Sequence, residues 1–255
     1  MSGYKAENCK SYSCEVNDKP ASIAVNMELA GSAPVRSKPL LLWVWVQLKS
    51  PTTEGLADQS ELAAINDMEN ELTSRLLSAC DAVYAGRITT EGRQEFYFYS
   101  GSEERLLIST DAAMGRFPQY EIEQGTHHDL DWNHYFDVLY PSGQDIEHVK
   151  NQSVIEILTD YGDTLDSVRD VRHFIYFKQS QDRSRFASRA QALDYQVVCE
   201  SEYPEGEYPL CLIIMRDQGV TQDIMDTTVI ELIDLAEEIG GNYDGWETEI
   251  VSSMN

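Results

Sequence analysis

The segment Leu40–Leu48, LLLWVWVQL, constrains the fold more than any other stretch of the chain. Its unbroken apolar run, Leu40 to Val46, is far shorter than the ~20 residues that a membrane-spanning helix needs. A run this short and this continuous reads as a central strand covered on both faces. A sheet, with layers on each side of it, has to be assembled around that strand. The 255 residues, 42% of them hydrophobic, are enough for one large domain or two of roughly 100–150 residues.

The neighbouring segments supply the rest. Tyr12–Val16 and Ala21–Met27 read as a hairpin across Asn17-Asp18-Lys19-Pro20, with Ile23, Val25 and Met27 on one face. In Glu61–Ala79, Leu62, Ile65, Met68, Leu72 and Leu76 step by three and four, the period of an amphipathic helix; Asp58 and Glu61 have capping-box spacing. Ala82–Thr89 and Glu95–Ser100 form a strand pair. Ser102–Met114 is a helix stopped by Gly115 and Pro118, and Tyr120–Gln124 a strand. After a helix at Gln144–Tyr161 the cycle recurs. Its parts are strand Val171–Phe177, helix Gln181–Leu193, strands Gln196–Ser201 and Leu210–Arg216 about a turn at Tyr203–Gly206, helix Thr221–Ile239 and strand Tyr243–Val251. The expected fold class is α+β, as two tandem ferredoxin-like (βαββαβ) sandwiches, the first with an extra N-terminal hairpin. The expected domains are 11–142 and 171–251, with 143–170 as helix and linker.

Charge narrows the partners. Against 19 basic residues stand 44 acidic ones, a net of −25, with acid in excess in both halves. A field of that sign repels phosphate, so direct nucleic-acid binding is not expected and basic partners are favoured. The N-terminus, MSGYKAENCK, has no apolar leader core, and no segment is long enough to enter a membrane. Five cysteines without a CxxC motif fit reduced thiols in the cytoplasm.

Few residues combine into recognisable chemistry. His127, His128 and His134, with Asp129 and Asp131, offer metal-ligand types. Adjacent His127 and His128 would point to opposite sides of an extended chain, so a loop pinned by Trp132, Tyr135 and Phe136 is the preferred reading. Cys199 and Cys211 are placed to sit opposite one another on a hairpin, as small buried hydrophobes or, less simply, as a redox pair. Cys9 and Cys14 read as incidental and exposed. Arg183, Arg185 and Arg189 mark one helix, where pairing with Asp182, Asp194 or nearby carboxylates is preferred over an RNA or peptide contact. GxSxG, HExxH, GxGxxG and P-loop signatures are all missing from the sequence. No cofactor is implied. Tyr84, Arg87, Thr89, Arg93, Tyr97 and Tyr99 lie on the first strand pair and are candidates to line one ligand-binding face of it. Tyr243, Asp244, Trp246, Glu247 and Glu249 are candidates to meet a basic protein segment, Asp244-Gly245 supplying a bulge or tight bend. The structural alternative for that string is a closing strand whose Trp246 plugs the core.

Residues Val171–Val251 resemble the regulator of ribonuclease activity B family. The likeness is carried by His173-Phe174-Ile175-Tyr176-Phe177, Leu193-Asp194-Tyr195-Gln196-Val197, the acidic helix Thr221–Ile239 and above all Tyr243-Asp244-Gly245-Trp246. Ser11 to Pro141 resembles an uncharacterised domain often fused in front of that regulator. There it rests on Lys19-Pro20-Ala21-Ser22-Ile23, Leu42-Trp43-Val44-Trp45-Val46, Gly86-Arg87-Ile88-Thr89-Thr90, Arg93–Tyr99 and Leu139-Tyr140-Pro141-Ser142. The resemblance implies a ferredoxin-like second domain and a non-enzymatic protein that binds an RNA-degrading endonuclease and damps it. It transfers no catalytic residues. Standalone members of the family carry a long acidic tail after the last strand and lack the first domain, whereas this sequence runs four residues past Val251. The competing expectation is a small-ligand binder or enzyme with its site on the first sheet; a homodimer through exposed sheet edges is a third.

Overall fold

The apolar run becomes β3 (Leu40–Gln47), hydrogen-bonded antiparallel on both sides, to β5 (Arg93–Ser100) and β6 (Ile122–His128), in a computed structural model that describes residues 9–203 and 206–251. Contacts cluster the chain into two units that meet at Asp145/Ile146. Of the expected features, the N-terminal stretch through residue 8 and the turn residues Pro204 and Glu205 lie outside the described residues.

In the first unit, β1 (Cys9–Val16) and β2 (Lys19–Asn26) form the expected hairpin. Its two turn residues, Asn17 and Asp18, have φ of 53° and 60°, the left-handed pair that matches strand twist in a tight hairpin. With β4 (Val83–Thr90) the sheet runs β1-β2-β4-β5-β3-β6. Alternation along β3 sends Leu42, Val44 and Val46 to one face, where α1 (Leu62–Cys80) and α2 (Glu103–Met114) close a core with Met68, Leu72, Leu76, Phe96, Phe98 and Leu106. A π-helical turn, His134–Leu139, lies against the opposite face. There Trp132 stacks on Tyr99 at 3.9 Å, Tyr135 donates its hydroxyl hydrogen to Asn26 O and Tyr12 donates to Leu139 O. The chain after Gln124 therefore differs from the expected loop. Strand β6 extends through His128, because β3 offers a partner for every residue from Ile122 on.

The expected capping box also does not form. Asp58 accepts from its own turn at Ser60, and the buried Glu61 carboxylate accepts the backbone N–H groups of Lys49 and Ser50, tying β3's exit to α1's entry. A second buried carboxylate anchors the sheet beneath α1. Glu69, 3% exposed, accepts from Tyr84 Oη at 2.5 Å and from the Arg87 guanidinium.

The second unit orders its strands β10-β7-β9-β8: β7 (Arg169–Phe177), β8 (Gln196–Glu202), β9 (Leu210–Gln218) and β10 (Gly241–Thr248), all antiparallel. Helices α4 (Ser180–Gln191) and α5 (Gln222–Ile239) cover the face that carries Val171, Ile175 and Phe177. Gly240, at φ +86°, ends α5 in the left-handed conformation that glycine adopts without strain. Helix α3 (Gln144–Asp160) contributes Ile155 and Leu158 to the same core, beside Val171, Met225 and Val229. The stretch read as linker is pinned: Asp163, its carboxylate held down at about 2 by the Arg169 guanidinium, also accepts the N–H groups of Leu165 and Val251.

Replacing Glu69 by Ala leaves a half-buried arginine and a buried phenol without their acceptor, a defect worth about 1–3 kcal/mol. Urea unfolding should show that loss, with Glu69→Gln milder because it keeps an acceptor. A change below about 1 kcal/mol would show that the trio does not hold the layer together.

Candidate functional site

The string Tyr243-Asp244-Gly245-Trp246 shapes the second unit's outer strand. In a regular strand residues three apart face opposite ways. Here Tyr243 pairs with Ile175 and Trp246 with His173, two residues of the helix-covered face, because the register shifts between Tyr243 and Gly245 and leaves Asp244 unpaired. Gly245 takes φ +144°, a conformation that a side chain disfavours. Both aromatics therefore turn inward. Tyr243 Oη lies 2.9 Å from Nδ1 of the fully buried His173. Trp246 Nε1 donates to Asn151 Oδ1 at 2.8 Å, and Asn151 Nδ2 donates to Asp226 Oδ1 at 2.9 Å. Asp226 Oδ2 meets His148 Nδ1 at 2.6 Å and also accepts from Gln222. The Trp246 indole thus clasps α3 to α5. Of the five candidates, Tyr243 and Trp246 of this strand are structural anchors, Asp244 and Glu247 remain exposed, and Glu249 lies exposed just past the strand's end.

The opposite face of this sheet belongs to the alternate residues. Phe174 pairs with Ile213, Arg172 with Met215 and Tyr176 with Cys211 across β7 and β9. Phe174, Tyr176, Ile213 and Met215 are half-buried, and among the described residues no helix of this unit lies over them. Acids border the patch. Asp170 and Asp217 face one another across the strands, and a hydrogen bond accepted by the Asp170 carboxylate from protonated Asp217 raises the Asp217 carboxyl above its ordinary value. Glu247 pairs loosely with Arg172 at 3.5 Å, and a cleft of about 300 Å³ opens among Asp170, Arg172, Glu247, Thr248 and Glu249. None of the four apolar residues stood out in the sequence as a site. The alternation of β7, buried at Arg169, Val171, His173, Ile175 and Phe177, was the signal that held them.

In the first unit the six candidate ligand residues do not share a face. A second bulge, between Tyr84 and Gly86, leaves Ala85 unpaired and reverses the alternation of β4. Tyr84, Arg87 and Thr89 pair with Phe98, Phe96 and Gln94 on the helix side, while Arg93, Tyr97 and Tyr99 lie on the other. Each tyrosine hydroxyl is also engaged: Tyr84 donates to Glu69, Tyr97 to Glu95 at 2.5 Å and Tyr99 to Asp129 at 2.6 Å. The acceptors Glu69, Glu95 and Asp129 are buried, and sequence reading singled none of them out as an acceptor.

The remaining candidates fall into place. His127 and His128 alternate across β6, and His134 packs its ring 4.2 Å from that of Tyr97. Burial pushes the His134 imidazole down to about 4. Among the described residues no three His, Cys, Asp or Glu side chains converge on a common point. Cys199 stands opposite Ile213 and Cys211 opposite Ser201, so the two thiols are offset, contrary to the facing pair expected; the register set next to the turn, with Glu202 opposite Leu210, separates them by two positions. Cys9 and Cys14 are half-buried in β1, not exposed, and burial lifts the Cys9 thiol to about 12. The arginines of α4 pair locally, Arg183 with Glu200 at 2.9 Å, Arg185 with Asp182 at 3.4 Å and Arg189 with Glu238 at 3.2 Å. No described helix is long and apolar enough to cross a membrane.

Residues 148–248, which comprise the clasp and the open sheet face, match the family Regulator of ribonuclease activity B. A protein of that name from Proteus mirabilis (strain HI4320) is 30% identical over 97 residues, 37% of this chain and 68% of that protein. The chain belongs to the regulator of ribonuclease activity B family. A second member, from Escherichia coli (strain K12), is 26% identical over 110 residues, 42% of this chain and 80% of its own length. Residues 7–140 match a family of unknown function (DUF695), to which the chain also belongs. A crystal structure of an unknown protein from Galdieria sulphuraria aligns with 84% of this chain and 99% of its own at 9% identity, with a TM-score of 0.22. In this member the family region holds a buried, neutral histidine at its centre.

Burial, with the nearby Arg216 charge, lowers the His173 imidazole to about 3, well below the ~6.5 of an unfolded chain. The unfolded state binds the extra proton between those values, so this contribution is complete above pH ~6.5 and is lost as pH falls towards 3. Stability of the full chain, followed by far-UV circular dichroism, should drop more steeply from pH 6 to 4 than that of His173→Gln, by up to ~1.4 kcal/mol per pH unit. Equal slopes would contradict a neutral buried imidazole.

Proposed function

We propose that the chain is a non-enzymatic cytoplasmic protein that regulates an RNA-degrading endonuclease by docking to it. The second unit, read as a ferredoxin-like sandwich, offers the surface for this. The observation that supports the reading is the sheet face without a described helix of its own unit, where half-buried Phe174, Tyr176, Ile213 and Met215 are bordered by Asp170, Asp217 and Glu247. An apolar centre with a charged border is the anatomy of a specific but reversible interface. Like charges set directly opposite on a sheet are unfavourable, so a cation arriving between Asp170 and Asp217 relieves a cost already present in the free protein. The partner segment is accordingly basic with apolar anchors, and the net charge of −25 speeds its approach. A ligand-binding function for the first sheet is less well supported, since its candidate residues divide between two faces and its phenols are bound to internal carboxylates.

The reading is tested by RNA cleavage assays with an endoribonuclease purified from the same cells. Addition of the full chain at low salt should slow cleavage, and ~0.5 M salt should abolish the effect by screening. Asp217→Lys combined with Glu247→Lys, both at exposed positions, should weaken inhibition about tenfold. Lack of any effect at low salt, or RNA cleavage by the chain alone, would overturn the proposal.

A further inference from the structure

A second acidic and aromatic surface lies wholly within the first unit, on the sheet face opposite α1 and α2. At its centre is Trp45. Antiparallel register places Glu95 of β5 directly beside it on one side and Glu123 of β6 on the other. Trp43 packs against it with ring centroids 4.5 Å apart and lies flat over Gly125, where a Cβ would come within 2.5 Å of the indole. That glycine lets two indoles form one continuous wall. A cleft of about 300 Å³ runs along the wall between Trp45, Gln47, Arg93, Glu121, Ile122 and Glu123.

The cleft already holds one cation. The Arg93 guanidinium sits 4.6 Å over the Trp45 ring, with Nη2 3.4 Å from Glu95 and 3.8 Å from Glu91. Arg93 therefore satisfies the acids on the β5 side. Glu121 and Glu123, both exposed on the β6 side, have no cationic partner among the described residues. Because Arg93 already covers the Trp45 ring and Trp43 packs against it, an incoming planar cation is drawn by the unbalanced Glu121 and Glu123 carboxylates and packs at the edge of the indole. The same carboxylates repel phosphate, which excludes nucleic acid as the occupant.

We infer that this cleft is a docking site for an arginine-containing basic peptide segment of a partner protein, whose guanidinium is received between Trp45 and the Glu121–Glu123 pair. The site is separate in sequence from the ribonuclease-regulator region and does not depend on the function proposed for it. It gives the first unit a task of its own, recognition of a cationic segment in extended form.

The probe is a short capped peptide of alternating arginine and serine, with a citrulline counterpart of the same shape and no charge. Added to the full chain, the arginine peptide should bind and change indole emission, and the citrulline peptide should not. Glu121→Lys with Glu123→Lys should weaken binding about tenfold or more, while Asp234→Lys with Glu237→Lys, an equal charge change on exposed positions of α5, should weaken it less than about twofold. Trp45→Phe should remove most of the emission change with the far-UV spectrum preserved. Equal binding of the citrulline peptide, equal loss in the two lysine variants, or an unchanged emission response in Trp45→Phe would each overturn the inference.

Discussion

Two aromatic residues three positions apart on an extended strand would face opposite ways, and the second unit depends on their not doing so. The unpaired Asp244 and the positive φ of Gly245 insert one residue into β10. Tyr243 then reaches His173, and Trp246 reaches Asn151. Through Asn151 the indole engages Asp226, and through Asp226 it engages His148 and Gln222. A helix that would otherwise be a connector becomes a wall of the core. The same rotation sends Asp244 and Glu247 outward, so the device that closes the interior also sets the charge of the exterior.

Buried carboxylates do comparable work in both units. Glu61, Glu69, Glu95 and Asp129 in the first and Asp163 in the second each accept two or more hydrogen bonds or ion pairs. A charge withdrawn from water persists only when its oxygens are satisfied, so each of these acids fixes the geometry around it. Some of the acid that makes the composition lopsided is thus internal scaffolding. Part of the exposed remainder borders apolar surface, at Asp170, Asp217 and Glu247 on one sheet and at Glu121 and Glu123 on the other.

Much of this architecture was legible in the residues. Continuous apolar character located β3, three-and-four spacing located α1, and Gly115 and Pro118 marked the end of α2. The bulge at Asp244-Gly245 was readable because a glycine followed an acid in a strand. Its counterpart was not: Tyr84-Ala85-Gly86 has the same Tyr-x-Gly form, yet Ala85 looks like any small strand residue, and missing it placed Tyr84 and Tyr97 on one face. The capping box failed for a different reason. Glu61 has the right spacing from Asp58, but the stranded N–H groups of Lys49 and Ser50, brought near only by the tertiary fold, compete for its oxygens. The open sheet face was hidden because its four apolar residues come from two strands far apart in sequence. Only strand pairing brings them together.

Membership in a ribonuclease-regulator family and a sheet face without its own helix cover converge on one account, in which this protein acts by presenting a surface. Hydrogen–deuterium exchange of the full chain, with and without the endoribonuclease proposed as its partner, tests that account most directly. Contact through the open face should slow exchange in β7, β9 and β10 while leaving the helix-covered side at α4 and α5 unchanged. Protection confined to α4 and α5, or no protection in a complex shown to have formed, would contradict it.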